Sequence, residues 1–218
     1  MVPVMTEADP DEHARRLAAR SLAANNPTAW FERLYTEAEN GTAVVPWDRE
    51  APQQLLVEWA RELDGTGRRA LVVGCGLGMD AEFVAGLGFD TVAFDISETA
   101  VRTARARFPN STVHYVAANL LDPPADWHQA FDLVVESLTV QSMPASVREH
   151  ATVQVGRMVA AGGTLLVIAS AYDGNNPYEG PPWPLTQEQV VAFAGDGLEA
   201  VRIEDVAGRW RAEFTRAS

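Results

Sequence analysis

From residue 70 onward, the chain alternates short apolar runs with longer segments in which apolar residues recur at helical spacing. Apolar runs of this length, bounded by turn residues, are typical of strands that are buried on both faces of a parallel sheet. The pattern predicts five such strands and then a terminal β pair. The predicted strands span 70–73, 91–94, 113–116, 131–135, 164–169, 200–206 and 209–215.

Helices are predicted between these strands and ahead of the first one. Ser97 and Thr186 are residues of the type that caps a helix N-terminus, and Asn40-Gly41 is typical of a helix end. The predicted helices span 11–25, 28–40, 53–63, 80–87, 97–108, 145–161 and 187–194.

Strands that alternate with helices of this length indicate an α/β fold. We expect a Rossmann-like, doubly wound, mostly parallel seven-stranded sheet with an antiparallel C-terminal strand. Residues 66–218 are expected to form this α/β domain. Residues 1–65 are expected to form an N-terminal helical cover, so that the whole chain is one compact domain.

The charge balance narrows the class of binding partner. The chain has 218 residues and a formal net charge of −13. Such a charge repels phosphate backbones, which argues against a nucleic-acid substrate. The chain contains arginine but no lysine. This excludes a lysine Schiff base and the lysine of a P-loop. We therefore expect a small-molecule substrate.

The cysteine content and the N-terminal sequence limit which cellular compartment and which kinds of metal site are possible. Cys75 is the single cysteine, which excludes an internal disulfide and a cysteine-based zinc site, and no metal is expected. Residues 1–7 lack the pattern of a signal peptide, and no apolar run is long enough to span a bilayer. We expect a cytoplasmic, bacterial protein that is a monomer or a weak homodimer and has no membrane partner.

Three glycines at alternate positions follow the first predicted strand. They are Gly74, Gly76 and Gly78. Asp95 ends the second predicted strand. It follows Gly74 by about 20 residues, which is the separation seen in nucleotide-binding sites. Glycines let backbone approach a ligand closely, and a carboxylate accepts hydrogen bonds from two ribose hydroxyls. The motif therefore predicts a cofactor that contains adenosine.

The residues after the glycines indicate which of two adenosine-containing cofactors the site suits. A dinucleotide site has a further glycine where this chain has Met79, and Asp80 follows. A carboxylate there would repel a pyrophosphate, whereas it suits a ligand with an ammonium and a sulfonium. This favours S-adenosylmethionine, with S-adenosylhomocysteine as its product, over NAD.

The remaining strand ends supply further candidates, because ligands of such sheets bind beyond the carboxyl ends of the strands. Asn119 follows strand three and suits the adenine amino group, while Leu120 suits the adenine ring. Glu136 ends strand four, and Tyr172-Asp173 follows strand five. Each of these polar residues is also compatible with an ordinary turn or a solvated loop.

Aromatic residues concentrate ahead of the sheet. Trp30, Phe31, Tyr35 and Trp47 precede the first strand. A tryptophan-bearing segment over the cofactor would exclude water and present a π surface to a sulfonium. A helix that packs through an apolar stripe explains Trp30 and Leu34 equally well, but it does not explain Trp47.

These motifs resemble the class I methyltransferases, and within them the thiopurine S-methyltransferase-like group, which also contains thiol, thiocyanate and halide methyltransferases. The resemblance spans about residues 28–205. The stretches that carry it are Trp30 with Trp47-Asp48, the Gly-Cys-Gly-Leu-Gly-Met-Asp loop from Gly74, Phe94-Asp95-Ile96-Ser97, and Gly180-Pro181-Pro182-Trp183.

The resemblance implies an S-adenosylmethionine site and an acceptor pocket between the N-terminal cover and the loop from Tyr172 to Trp183. With the residue-level arguments above, the predicted cofactor contacts are Trp30, Trp47, Gly74, Gly76, Gly78, Asp80, Asp95, Ile96, Asn119, Leu120 and Glu136. The predicted acceptor contacts are Trp47, Met143, Tyr178 and Trp183. The predicted catalytic residues are Glu136, Tyr172 and Asp173.

One departure bears on the acceptor. Mammalian thiopurine enzymes carry Asp-Arg after strand four, and this chain has Glu136-Ser137, so a guanidinium that could meet an anionic acceptor is lost there. The prediction is methyl transfer to the sulfur of a small, largely apolar thiol by in-line displacement. The alternatives are a halide or thiocyanate acceptor, an oxygen acceptor that needs Glu136 or Asp173 as base, or cofactor binding without turnover.

Overall fold

The computed structural model describes residues 9–174 and 180–218. Its helices are α1 Pro10–Ala23, α2 Ala29–Glu39, α3 Gln54–Trp59, α4 Met79–Gly86, α5 Glu98–Arg107, α6 Ala145–Arg157 and α7 Gln187–Val191. Its strands are β1 Arg69–Val73, β2 Asp90–Asp95, β3 His114–Ala117, β4 Phe131–Ser137, β5 Val159–Ser170, β6 Leu198–Asp205 and β7 Arg209–Arg216. Two 3₁₀ turns lie at Ala125–Trp127 and Val140–Ser142.

The sheet has seven strands in the order β3-β2-β1-β4-β5-β7-β6. Strands β1 to β5 pair in parallel, whereas β7 runs antiparallel to both β5 and β6. The order reverses between β1 and β4, which is where open α/β sheets bind ligands. The predicted fold class is confirmed.

The apolar runs fill both faces of the sheet, as the sequence pattern requires for parallel strands. In β1, Leu71 and Val73 enter one core cluster, while Ala70 and Val72 enter the cluster on the other face. All four side chains are buried. Because both faces are covered by apolar packing, chemistry is confined to the strand ends.

Several predicted boundaries are wrong by more than two residues. The helices expected over 53–63 and 187–194 end at Trp59 and Val191. The helix expected over 145–161 ends at Arg157, and β5 begins at Val159. Val159 lies opposite Phe131 at an irregularity of the β4–β5 ladder. The buried Arg216 guanidinium donates to the carbonyls of Gly156 and Val159, so this distant cation stabilises the early helix end.

The N-terminal helices α1 and α2 pack on each other and form a third apolar cluster with Ala100 of α5. Glu32 of α2 fixes this cover to the sheet domain. Its carboxylate accepts from the Ser97 hydroxyl at 2.6 Å, the Thr99 hydroxyl at 2.6 Å and the Thr99 amide at 3.2 Å. The division of the chain at residue 65 stays a prediction.

The described residues include neither a membrane-spanning helix nor a cluster of metal-ligating side chains. None of their helices combines the length and the hydrophobicity that crossing a bilayer requires. Nor do three or more His, Cys, Asp or Glu side chains within them gather in a way that could hold a metal ion.

We predict that Glu32→Ala lowers the free energy of unfolding at pH 7 by about 1–3 kcal/mol, because it removes hydrogen bonds to a charged group. Partial burial works to raise the pKa of Glu32, but hydrogen bonds from Ser97 and Thr99 outweigh it and the pKa is lowered from 4.5. A lowered folded-state pKa gives stability that is complete above pH 4.5 and is lost at lower pH. The difference between wild type and variant therefore shrinks in acid.

Glu39→Ala is the matched control in urea unfolding at pH 7 and pH 4. Glu39 lies on the same helix and also pairs with α5, through Arg102, but both side chains are about half exposed. Exposed ion pairs contribute about 0–1 kcal/mol. Equal losses for the two variants would show that Glu32 does not fix the cover.

Candidate cofactor and acceptor site

A cavity of about 320 Å³ opens beyond the carboxyl ends of β1, β2 and β4. This volume is at the lower end of the range for small-molecule sites. Its walls come from the glycine loop after β1, the ends of β2 to β5, the cover helices and the proline pair Pro181-Pro182. The predicted ligand edge and this cavity are therefore the same place.

The glycine loop lines the cavity with all three glycines in the left-handed region. Their φ values are +58° at Gly74, +51° at Gly76 and +95° at Gly78, and Gly78 is the residue from which α4 starts. Only glycine adopts this conformation without a steric cost.

The space beside each glycine is taken by a hydroxyl-bearing side chain of the protein. A Cβ at Gly74, Gly76 or Gly78 would meet the hydroxyl group of Thr139, Tyr35 or Tyr115 respectively. The close approach of these protein groups therefore requires glycine at all three positions.

Asp95 lies at the end of β2 with 6% of its surface exposed. Its carboxylate accepts from the Gly76 amide at 3.0 Å and from the Ser97 amide at 2.9 Å. Burial raises the pKa of Asp95 to about 6, against the lowering effect of the amides of Ser97 and Gly76. At neutral pH the carboxylate is mostly ionised, and Ile96 lines the cavity beside it.

Asp80 lines the cavity, but its carboxylate has protein partners. Arg49 donates to Oδ2 at 3.1 Å, and the backbone amide of Gln53 donates to Oδ1 at 2.7 Å. The Asp80 side chain is almost fully buried, and Arg49 offsets its charge. Its predicted contact with a ligand ammonium would have to be made beside this arginine.

Asn119 and Leu120 also line the cavity. Asn119 is exposed and its Oδ1 accepts from the Leu121 amide at 3.0 Å, which leaves its amide NH₂ without a partner among the described residues. Leu120 is buried. Their predicted roles toward the adenine stay predictions, and their positions are compatible with them.

Glu136 does not line the cavity, so the structure does not support its predicted contacts with cofactor or acceptor. Its side chain is fully buried, and Oε1 accepts from the amides of Thr139 at 2.8 Å and Val140 at 2.9 Å. Burial raises the pKa of Glu136 to about 7, although these amides lower it. The carboxyl holds the turn after β4, and the neighbouring Ser137 lines the cavity instead.

The segment after β5 reaches the cavity through its prolines. The cavity lining includes Pro181 and Pro182 of this segment but not Tyr172, Asp173 or Trp183. The reason is that the chain returns to the sheet at Leu185, whose carbonyl accepts from the Tyr172 amide at 2.9 Å. Met143, which follows β4, also lines the cavity.

Two predicted site residues of the segment after β5 point elsewhere than into the cavity. Tyr172 is 43% exposed, and Trp183 faces the guanidinium of Arg148 at 5.9 Å. The predicted acceptor contact Tyr178 lies outside the described residues.

Helical phase decides which aromatic residues of the cover meet the cavity. Phe31 and Tyr35, four residues apart, line it together with Trp47. Trp30 and Leu34 lie about 100° further around the helix and are 2% and 0% exposed. The rings of Trp30 and Phe31 stack with centroids 3.9 Å apart. Trp30 is therefore packed behind the lining, and its predicted cofactor contact is not supported.

The structure adds residues that sequence reasoning missed. Arg209, at the start of β7, lines the cavity with Ser170 of β5 and Gln141 of the turn after β4. Arg209 and Ser170 are partners in the β5–β7 ladder. No local motif marks Arg209, because only the pairing of β7 with β5 brings it to this edge.

Comparison with known proteins decides the family. The sequence matches the model of the family described as "Thiopurine S-methyltransferase (TPMT)" over residues 37–214. The chain belongs to the thiopurine S-methyltransferase family. The match covers the sheet, the glycine loop and most of the cavity lining.

A relative that matches most of the chain agrees with this assignment. The probable thiol methyltransferase 2 of Arabidopsis thaliana is 25% identical over 198 residues, which are 86% of this chain and 87% of the relative.

Two solved structures share the fold. The N-methyltransferase NodS of Bradyrhizobium japonicum WM9 in complex with S-adenosylhomocysteine has a TM-score of 0.66, with 18% identity over 86% of this chain and all of NodS. A protein solved in work on conversion of a disulfide bond into a thioacetal group during echinomycin biosynthesis has a TM-score of 0.69, with 21% identity over 86% of this chain and 93% of that protein.

The protein is thus an S-adenosylmethionine-dependent methyltransferase. Its own residues fit that cofactor. The cavity lies where the strand order reverses, and a buried carboxylate ends β2. The loop after β1 has glycine at every second position, so no side chain projects from those positions. All the predicted cofactor contacts except Trp30 and Glu136 surround this cavity.

We predict that Gly76→Ala weakens S-adenosylhomocysteine binding at least tenfold. The new Cβ costs about 1–2 kcal/mol in the left-handed region and would lie 2.9 Å from the Tyr35 hydroxyl. Gly86→Ala is the control, because a Cβ at the end of α4 meets nothing within 4 Å. Calorimetric titration of both variants checks the prediction, and an unchanged affinity for Gly76→Ala would contradict it.

The raised pKa of Asp95 predicts a pH dependence of cofactor binding. If the ionised carboxylate binds the ribose hydroxyls, protonation below about pH 6 lowers the affinity for S-adenosylhomocysteine by up to tenfold per pH unit. Asp95→Asn binds weakly and without this slope. Asp90→Asn, at the exposed start of the same strand, keeps it. A slope that survives in Asp95→Asn would assign the titration to another group, such as Glu136.

Proposed function

We propose that this methyltransferase transfers the methyl group to the sulfur of a small thiol. The observation that carries the proposal is that no histidine is among the described residues that line the cavity. In addition, a relative of this chain is named as a probable thiol methyltransferase. A thiol has a pKa near 8.5 and is partly ionised at neutral pH, so it needs no strong base. An alcohol would need one.

The bound cofactor supplies an electrophilic methyl group on a sulfonium. The chain's residues hold that group and the thiol in line and exclude water. Asp95 and the glycine loop bind the nucleoside end, and Phe31 and Trp47 close the cavity from the cover. Positioning of this kind contributes about 7–11 kcal/mol to lowering a barrier, and the loss of charge during transfer is favoured by a dry, apolar wall.

The cover of residues 1–65 acts in this proposal as the water-excluding element. The described part of it contributes two helices that pack on each other and one aromatic loop residue, Trp47, to the cavity wall. Glu32 keeps this element against α5.

The acceptor end combines an apolar wall with one guanidinium. Met143, Pro181 and Pro182 supply the wall, and Arg209 is also part of the lining. The sequence departs from the mammalian Asp-Arg pair at Glu136-Ser137, yet an arginine of β7, Arg209, is part of the lining of the cavity. This supports an acceptor with an apolar body and an anionic substituent, such as an aromatic thiol that carries a carboxylate.

A halide or thiocyanate acceptor is the second candidate, because Arg209 would also attract a small anion. An oxygen acceptor is less well supported, since Glu136 is buried away from the lining and Asp173 lies outside it. Binding without turnover has no observation in its favour.

We predict that labelled S-adenosylmethionine methylates mercaptobenzoate and benzenethiol, and that Arg209→Met lowers kcat/KM for mercaptobenzoate about tenfold or more, the size of one charge-assisted contact. The same variant changes kcat/KM for benzenethiol less than threefold. Arg202→Met, on the exposed strand β6, is the matched control.

Turnover of phenols or amines with no thiol turnover would overturn the sulfur acceptor. Volatile methyl iodide or methyl thiocyanate in the headspace, without thiol products, would favour the second candidate. Equal losses for both thiols in Arg209→Met would refute the anionic substituent alone.

A further inference from the structure

The Tyr35 side chain extends from α2 over the centre of the glycine loop. Its surface is 4% exposed, and it lines the cavity. Its hydroxyl lies 2.9 Å from the position that a Cβ of Gly76 would take. Because the Gly76 amide is bound to Asp95, this hydroxyl stands close to the predicted nucleoside contact.

The hydroxyl has one partner and an unused proton. It accepts a hydrogen bond from the indole Nε1 of Trp47 at 2.7 Å, and no group in residues 9–174 or 180–218 accepts from it. Burial raises the pKa of Tyr35 well above 10, and the Asp95 charge raises it further, so the group stays a neutral donor. A buried donor without an acceptor is costly.

The other two hydroxyls above the glycine loop differ in this respect. Thr139 donates to the Val73 carbonyl at 3.0 Å, and the Tyr115 hydroxyl lies 2.6 Å from a Glu82 carboxylate oxygen. Both protons are used inside the protein. Tyr35 alone among the three combines an unused proton with a place in the cavity wall.

We propose that the Tyr35 hydroxyl donates a hydrogen bond to the bound cofactor, and that the indole N–H of Trp47 positions it. Accepting the Trp47 hydrogen bond leaves the Tyr35 proton to point elsewhere and polarises it. Tyr35 is then a cofactor contact, and Trp47 acts partly through it. This inference depends on the cofactor and is independent of the acceptor.

The test is a double-mutant cycle on S-adenosylhomocysteine affinity, measured by calorimetry. Tyr35→Phe keeps the ring and removes the hydroxyl, and we expect its dissociation constant to rise five- to twentyfold. Trp47→Phe removes the indole N–H and also weakens binding. In the Trp47→Phe background, removal of the Tyr35 hydroxyl is expected to cost less than threefold, because its orientation has already been lost.

Tyr115→Phe is the matched control, since it removes a hydroxyl above the same loop that Glu82 engages outside the cavity. Its affinity stays within twofold of wild type even where its melting temperature falls. Melting temperatures of all variants separate folding from binding. An affinity of Tyr35→Phe within twofold of wild type, or losses that multiply in the double variant, would overturn the proposal.

Discussion

The carboxylate of Asp95 is the interaction on which the site depends. It binds the amide of Gly76 in the loop after β1 and the amide of Ser97 in the turn after β2. Ser97 in turn donates its hydroxyl to Glu32 of the cover. One connected set of hydrogen bonds therefore joins the glycine loop, the second strand and the helical cover. Networks of this kind fix the relative positions of the groups they join.

This arrangement places the charges of the site in a protein with a net charge of −13. Within the described lining, Arg49 offsets Asp80, whereas Arg209 has no acidic partner. In our proposal, this guanidinium attracts the anionic substituent of the acceptor. The lining therefore holds two arginines, Arg49 with its charge offset by Asp80 and Arg209 without an acidic partner among the described residues.

Most of the predicted cofactor contacts line the cavity, whereas only Trp47 and Met143 of the predicted acceptor contacts within the described residues do. The glycine loop, Asp95 and Asn119 follow parallel strands in the chain, and the carboxyl ends of parallel strands share one edge. The acceptor end that we propose combines the start of β7, a turn after β4 and a proline pair, all of which line the cavity. Arg209 has no local signal, and Glu136 looks identical in sequence whether its carboxyl faces the cavity or caps a turn.

Period and motif spacing are local properties of the chain, so the order of strands and helices, the nucleotide motif and the class of cofactor follow from the amino-acid sequence. The tertiary structure decided which side chains face the cavity. Trp30 and Tyr35 lie on one helix, yet packing of α2 against α1 and α5 turns the first inward and the second toward the glycines. Side-chain direction at a strand end or on a packed helix depends on neighbours distant in the chain, and only the folded protein supplies them.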